Sequence, residues 1–367
     1  MNPLAEPNIH VLVVDDSAVV REVLTAILSL EPGMAVATAS DPLIAMNKMK
    51  QRRPDVVVLD LDLPRMDGMT FLQKIMREDP LPVVICSALT GPNTSIGLQA
   101  LEEGAVDVIT KPRIAVREFL HESAVLLTDV VRAAARSHAK LSRAASSRIA
   151  RRTGESNRPE ESHPTRPRRS DRIIAIGAST GGTEALRDIL EALPADIPGL
   201  VVVQHMPEGF TAAFAQRLDQ TCRIEVKEAV HGDPVLSGRA LIAPGNRHML
   251  VRPSGVRWDI EISDGPLVSR HRPSVDVLFR SVAQHAGAHA LGVILTGMGS
   301  DGAAGLLEMR RAGAFTIAQD EASSVVFGMP KEAIDRGAVL KVASLAKIPE
   351  EILHAGFEPQ RVVPRMK

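Results

Sequence analysis

Apolar residues in the first 125 or so positions fall into short unbroken runs separated by stretches of helical periodicity. HVLVVDD, VVVLDLD, PVVICSA and VDVITKP are four such runs. Continuous apolar runs of this length suit parallel strands covered on both faces. MAVATAS supplies a fifth candidate, while AVVREVLTAILSL and DPLIAMNKMKQRR space their apolar residues at helical intervals. Strand and helix in alternation predict a doubly wound sheet.

From about Thr128 the pattern changes. VVRAAARSHAKLSRAASSRIARR is rich in Ala and Arg and can extend a helix, whereas TGESNRPEESHPTRPRRSD has almost no large apolar residue. Residues 128–170 therefore read as a basic, flexible linker. A solvated tether is its plain reading, and docking on an acidic surface is the alternative.

Alternation then resumes. RIIAIGAS, LVVVQHM, RALIAPG, LGVILTGM and FTIAQD are five further strand candidates, and HMLVRPSGVRWDIEIS reads as an antiparallel excursion joined at Pro-Ser-Gly. The expected architecture is thus two doubly wound parallel-sheet α/β domains, at residues 8–127 and 171–357, with a C-terminal tail at 358–367.

Composition narrows the function classes. The chain has 367 residues, a formal charge of −1, 45% apolar residues and only 2% aromatics, with no Tyr. Near-neutral charge and scarce aromatics argue against a nucleic-acid binder. No apolar stretch reaches the roughly 18 residues of a membrane span, and the N-terminal MNPLAEPNIH is no secretory signal. Cys86 and Cys222 are too few for a disulfide framework and are expected as small buried or half-buried side chains. Together these features point to the cytoplasm.

In doubly wound sheets, functional groups gather at the carboxyl ends of strands. In the first half these ends carry Asp15 and Asp16, Asp60, Ser87 and Lys111. Three converging carboxylates call for a hard divalent cation, and Mg²⁺ accepts such oxygen donors together with a phosphate. Asp60 is then a candidate nucleophile toward a phosphoryl group, with Lys111 and the Ser87 hydroxyl on its oxygens. VVDDSAVVRE, DLDLPRMDG, CSA and TKP resemble a response-regulator receiver domain. That resemblance implies phosphorylation of Asp60 by a histidine kinase, Mg²⁺ at Asp15, Asp16 and Asp60, and a cis bond between Lys111 and Pro112. Val108 departs from the pattern, because receivers often carry an aromatic switch residue there.

In the second half IIAIGASTGG runs from a strand through small residues into a helix. The turn suits either a phosphate-cradling loop or a serine nucleophile, since Gly177 to Gly181 has the spacing of a nucleophile elbow. No Lys follows as in a P-loop, and Glu184 is a poor neighbour for phosphate. For the nucleophile reading, His205 follows the next strand and Asp301 a later one, so Ser179, His205 and Asp301 share one sheet edge. The order Ser, His, Asp differs from that of α/β-hydrolases, for which His289 or His354 would be the base. His248 is a possible substrate-side residue, and Thr180 either orients the imidazole or caps the helix.

IGASTGG, QHMP, APG with HM following, LTGMGSDG and VVFGMPKEA resemble the catalytic domain of the chemotaxis protein-glutamate methylesterases. The resemblance places the triad at Ser179, His205 and Asp301 and an oxyanion donor at the Met298 amide. It implies hydrolysis of glutamyl γ-methyl esters and deamidation of glutamines on chemoreceptor helices, switched by the receiver and needing no cofactor for the ester step. The implied partners are the receptor's cytoplasmic helices and the kinase, so any membrane association is peripheral, through receptor arrays. The rival class is a non-enzymatic output domain behind a receiver; its best support is the Arg-rich linker.

Overall fold

The structure, a computed structural model, describes residues 9–64, 66–87, 93–111, 127–136, 170–255 and 257–357. The Lys111–Pro112 bond, the linker beyond residue 136 and the C-terminal tail lie outside them. The chain divides into two compact units, one of residues 1–161 with 206–213, the other of residues 162–205 with 214–367.

The first unit alternates β1 (Ile9–Val14), α1 (Ala18–Ser29), β2 (Met34–Ala39), α2 (Pro42–Gln51), β3 (Val56–Leu59), α3 (Gly68–Glu78), β4 (Val83–Ser87), α4 (Asn93–Glu102) and β5 (Asp107–Thr110). A further helix, α5, covers residues 127–136. All strands are parallel, in the order β2-β1-β3-β4-β5. Every residue of β3 and β4 is buried, as continuous apolar runs require. The first three helices start on side-chain caps, in which Ser17, Asp41 and Asp67 accept the Val20, Ile44 and Thr70 amides. In α5, Leu127, Val130, Val131, Ala133 and Ala134 are buried, so residues 128–136 of the expected linker are packed helix. Apolar residues at helical spacing pull this stretch out of the solvated tether.

Beyond residue 170 the chain forms β6 (Ile173–Ala178), α6 (Gly182–Ala192), β7 (Gly199–Gln204), α7 (Phe210–Thr221), β8 (Glu225–Glu228), β9 (Arg239–Ile242), β10 (His248–Ser254) and β11 (Arg257–Ser263). It continues with α8 (Val275–His285), β12 (Ala290–Ile294), α9 (Ala303–Arg311), β13 (Phe315–Gln319), α10 (Met329–Asp335), β14 (Lys341–Ala343) and α11 (Ile348–Phe357). Seven parallel strands are ordered β14-β13-β12-β6-β7-β9-β8. The five apolar runs form the middle of the sheet; β8 and β14 are short edge strands absent from the sequence expectation. Strands β10 and β11 form the antiparallel hairpin, with Pro253 paired to Trp258 inside it rather than at its tip. A proline fits there because both strands of a two-stranded sheet are edges.

The hairpin shares one core with α8. Met249, Val251 and Trp258 join Leu278, Phe279 and Val282 in a continuous buried cluster. Burying a side chain of the size of Phe279 contributes about 1.5–3 kcal/mol. Two hydrogen bonds set the register: the Val251 amide donates to Ser281 Oγ (3.0 Å) and Trp258 Nε1 to the His285 carbonyl (2.9 Å). This packing fixes where the N-terminus of α8 points, and that end lies at the site described next. Among the described residues no helix is long and apolar enough to cross a membrane.

Candidate active site

In the middle of each sheet the strand order reverses, and a crevice opens at the carboxyl ends of the two strands there. In the first unit these strands are β1 and β3. The register sets Val14 beside Leu59, so Asp15 and Asp60 emerge as neighbours. Lys111 arrives from β5, its amide donating to the Ser87 carbonyl (3.0 Å). Its Nζ lies 2.7 Å from Asp60 Oδ2 and 2.9 Å from Asp15 Oδ2.

The pocket is electrostatically unfinished. Burial pushes the Asp60 carboxyl above the usual carboxylate range, opposed by the hydrogen bond from Lys111. For Lys111 burial works against the charged form, but the bonds to Asp60 and Asp15 outweigh it and raise its pKa. Asp15 Oδ2 is buried, with Lys111 Nζ as its charge partner at 2.9 Å. Asp15, Asp16 and Asp60 each offer an oxygen within 4.8 Å of the others. Three carboxylates gathered into an all-oxygen set fit a hard divalent cation. Ser87 is buried at this edge, as is Val108 in β5.

In the second unit the order reverses between β6 and β12. Ser179 follows β6, His205 follows β7, and Asp301 lies in the loop beyond β12. The His205 amide donates to the Ala178 carbonyl (3.1 Å), tying the ends of β7 and β6 together. Gln204, 2% exposed, donates from Nε2 to the carbonyls of Ser179 (2.9 Å) and His205 (3.0 Å).

Asp301 is the most heavily bonded side chain of the site. Its Oδ1 accepts from Ser274 Oγ (2.8 Å) and the Asp276 amide (3.1 Å), and its Oδ2 from the Val275 amide (2.7 Å). These donors form the N-terminus of α8, where the helix dipole favours an anion. His205 Nε2 lies 2.9 Å from the same Oδ2. Burial alone would raise the Asp301 pKa, but the hydrogen bond from His205 and the other donors hold it well below the carboxylate range. Facing a carboxylate, Nε2 carries the proton. Nδ1 keeps the lone pair and is buried with no partner among the described residues.

The turn carrying Ser179 needs its small residues. Gly181, at φ 75°, caps α6 and has no room for a Cβ, which would lie 2.6 Å from Val325 Cβ. Gly297 passes so close to the serine that a Cβ there would lie 2.7 Å from Ser179 Cβ. The loop from Gly297 to Asp301 therefore rests on the nucleophile, with the Met298 amide at its start. Thr296 binds this loop to the serine turn, its Oγ1 donating to the Thr180 carbonyl (3.0 Å) and accepting from the Val326 amide (2.9 Å).

The structure thus brings His205 and Asp301 into direct contact and sets Ser179 against the loop that carries Met298. Among the described residues, neither the Ser179 hydroxyl nor the Thr180 hydroxyl bonds to the imidazole. Gly181, not Thr180, is the helix cap. Ser179 is not among the residues with positive φ, so it lacks the strain of a nucleophile elbow. Glu184 sits in the first turn of α6, paired with Arg187 (2.7 Å), which disfavours phosphate at that helix end. His248 is 3% exposed; its Nδ1 accepts the Ser274 amide (3.2 Å) and its Nε2 meets the Pro266 carbonyl (2.8 Å), so it supports the cap of α8 instead of facing substrate. His289 immediately precedes β12, at the sheet edge opposite Ser179, and His354 is exposed on α11.

Sequence reasoning missed Gln204, Thr296, Ser274 and His271. Ser274 before the apolar VDVLF was a readable cap signal; His271 had none. Its ring stacks on His205, with centroids 3.8 Å apart and planes 9° from parallel. His205, His271 and Asp301 offer ligand atoms within 4.8 Å of one another. Because the two rings lie face to face, their in-plane lone pairs cannot meet on a single ion.

Comparison with known proteins agrees with this division. The family model for the response regulator receiver domain matches residues 11–122, and that for CheB methylesterase matches residues 174–352. Protein-glutamate methylesterase/protein-glutamine glutaminase 5 of Anaeromyxobacter dehalogenans is 56% identical over 347 residues, 94% of this chain and 96% of its own. The chain belongs to the CheB methylesterase family. Protein-glutamate methylesterase/protein-glutamine glutaminase 2 of Rhodospirillum rubrum is likewise 56% identical, over 95% of this chain and 98% of its own. Among solved structures, the CheB methylesterase catalytic domain of Thermotoga maritima is 39% identical. It covers 50% of this chain and 97% of its own, with a TM-score of 0.49.

Proposed function

We propose that this family member is a phosphorylation-activated protein-glutamate methylesterase that also deamidates glutamine, acting on chemoreceptor helices in the cytoplasm. The observation that carries this reading is the His205–Asp301 pair at the switch point of a parallel sheet, beside a small-residue turn that presents Ser179. The receiver and methylesterase matches, and the shared names of the full-length relatives, supply the substrate class.

In this reading His205 Nδ1 takes the Ser179 proton while Oγ forms a bond to the ester carbonyl carbon. Asp301 keeps the imidazole in the tautomer that leaves Nδ1 basic and balances its positive charge. The Met298 amide donates to the carbonyl oxygen as it becomes an oxyanion; losing one such donor costs about 10²- to 10³-fold in rate. When the tetrahedral adduct collapses, the C–O bond to methoxide breaks and His205 returns the proton, so methanol leaves. With an amide, ammonia leaves. Water then repeats the sequence and releases the glutamate carboxylate and free Ser179.

In the receiver, Asp15, Asp16 and Asp60 would hold Mg²⁺, which when bound supplies charge neutralisation for a phosphoryl group. Asp60 is the phosphate acceptor, Lys111 offsets the added charge and the Ser87 hydroxyl binds a phosphate oxygen. A histidine kinase of the same signalling system is the donor.

Methanol release from methylated receptor membranes, with and without a small-molecule phosphodonor, tests both halves. Loss of release in Ser179→Ala and loss of phosphodonor stimulation in Asp60→Asn are expected. Undiminished release by Ser179→Ala would sink the assignment.

A further inference from the structure

We propose that His271 is a positioning residue for the hydrolytic reaction, its neutral ring holding the His205 imidazole face to face so that Nδ1 stays free as the base. The proposal rests on the reading of His205 as base given above.

Among the described residues His205 has one side-chain hydrogen bond, from Nε2 to Asp301. A single bond fixes one ring atom and leaves the plane of the imidazole free to swing. The stack on His271, 3.8 Å between centroids and 9° from parallel, fixes that plane. A ring at this spacing also keeps water from that face of the base.

The platform is itself rigidly delivered. Val268 and His271 exchange backbone hydrogen bonds (3.1 and 2.9 Å), closing a turn whose central residues are Ser269 at φ 52° and Arg270 at φ 67°. Neither is glycine, so the conformation is unfavourable and must be held from outside. Arg272 supplies that hold, donating to Asn246 Oδ1 (2.7 Å) and the Gly265 carbonyl (2.9 Å). Strain kept at a site by surrounding contacts points to a requirement for the residue it presents.

The tautomer is set as well. His271 Nδ1 lies 2.7 Å from the Ser269 carbonyl, so it carries the proton and the ring is satisfied as a neutral donor. Burial, the adjacent His205 and Arg270 disfavour a charge on His271 and outweigh Asp301 and the Ser269 carbonyl, which favour one. The proton removed from Ser179 therefore stays on His205, stacked on a neutral π face.

The test compares full-length, phosphodonor-activated enzyme with His271→Ala, His271→Phe and His271→Leu, measuring methanol release from radiolabelled methylated receptor membranes. His271→Ala is expected to lower kcat roughly 10- to 100-fold with KM changed by less than about twofold, the mark of a misplaced catalytic group. His271→Phe keeps a flat face without a titratable nitrogen and is expected to recover most of that loss. His271→Leu fills the space without the flat face, is expected to resemble the Ala variant, and replaces it should Ala fail to fold. Wild-type kcat in both Ala and Leu variants would overturn the proposal, as would a Phe variant no better than Leu. Full activity in His205→Ala would remove the underlying reading itself, separately from anything His271 does.

Discussion

Asp301 and His205 meet at 2.9 Å, and the same carboxylate oxygen also accepts the Val275 amide at the head of α8. One side chain therefore orients the base and caps a helix, so its replacement has two separable effects. Asp301→Asn is expected to lower kcat by about 10³- to 10⁴-fold, because the amide cannot hold the imidazole in its working tautomer. It is also expected to lower stability. The folded-state pKa of Asp301 is depressed to about 2, below the usual value near 4 for an unfolded chain. Its contribution is thus fully present above about pH 4 and disappears as pH falls through about 2. Denaturation midpoints of wild type and variant should converge over that window and differ most above it.

Gly297 offers a purely steric test. A methyl group there meets Ser179 Cβ at 2.7 Å and also the Met329 sulfur, with little slack on either side. Gly297→Ala is expected to push the loop that carries Met298 away from the serine. A displacement of about 1 Å can cost as much as 10²-fold in rate. Methanol release should fall while phosphorylation of Asp60, which lies in the other unit, proceeds at the wild-type rate.

The central strands of both sheets were legible because continuous apolar runs carry their own signal, and strand ends place Asp15, Asp60, Ser179, His205 and Asp301 without further information. The edges were not legible. Glu225–Glu228 has one buried position and Lys341–Ala343 has one, too few to show a period. At 127–136 helical propensity was legible, but the burial of that helix was not, because arginines surround its apolar residues. Within the site, Asp301 could be read as an orienting acid, but its bonds to Ser274, Val275 and Asp276 depend on where the hairpin and α8 pack. His271 depends on a turn of two non-glycine residues with positive φ, which no local preference would suggest. Contacts between distant segments carry that information, and a single sequence does not display them.

The two thiols are expected to be inert in the native protein. Burial pushes both Cys86 and Cys222 up to about 12, far above working pH, so almost no thiolate forms. Iodoacetamide at pH 8 should modify neither at an appreciable rate without denaturant, and both rapidly once the chain is unfolded. Cys222, the less enclosed of the two, should react first as denaturant is raised.

Lys111 holds two buried carboxylates, and its removal should expose what else can hold them. With Nζ gone, Asp15 and Asp60, each 1% exposed, face one another without a cation. Breaking a buried pair from one side costs about 3–5 kcal/mol, and partial exposure of Lys111 places this case at the lower end. Lys111→Ala should therefore unfold at lower temperature than wild type in metal-free buffer. A divalent cation that binds only the folded receiver stabilises it by mass action. Because the variant's oxygen cluster has lost the ammonium that pairs with Asp15 and Asp60, Mg²⁺ should raise its melting temperature more than it raises that of wild type. Asp60→Asn in the Lys111→Ala background should abolish most of that gain. An equal Mg²⁺ response in all three proteins would show that the ion does not bind at Asp15, Asp16 and Asp60.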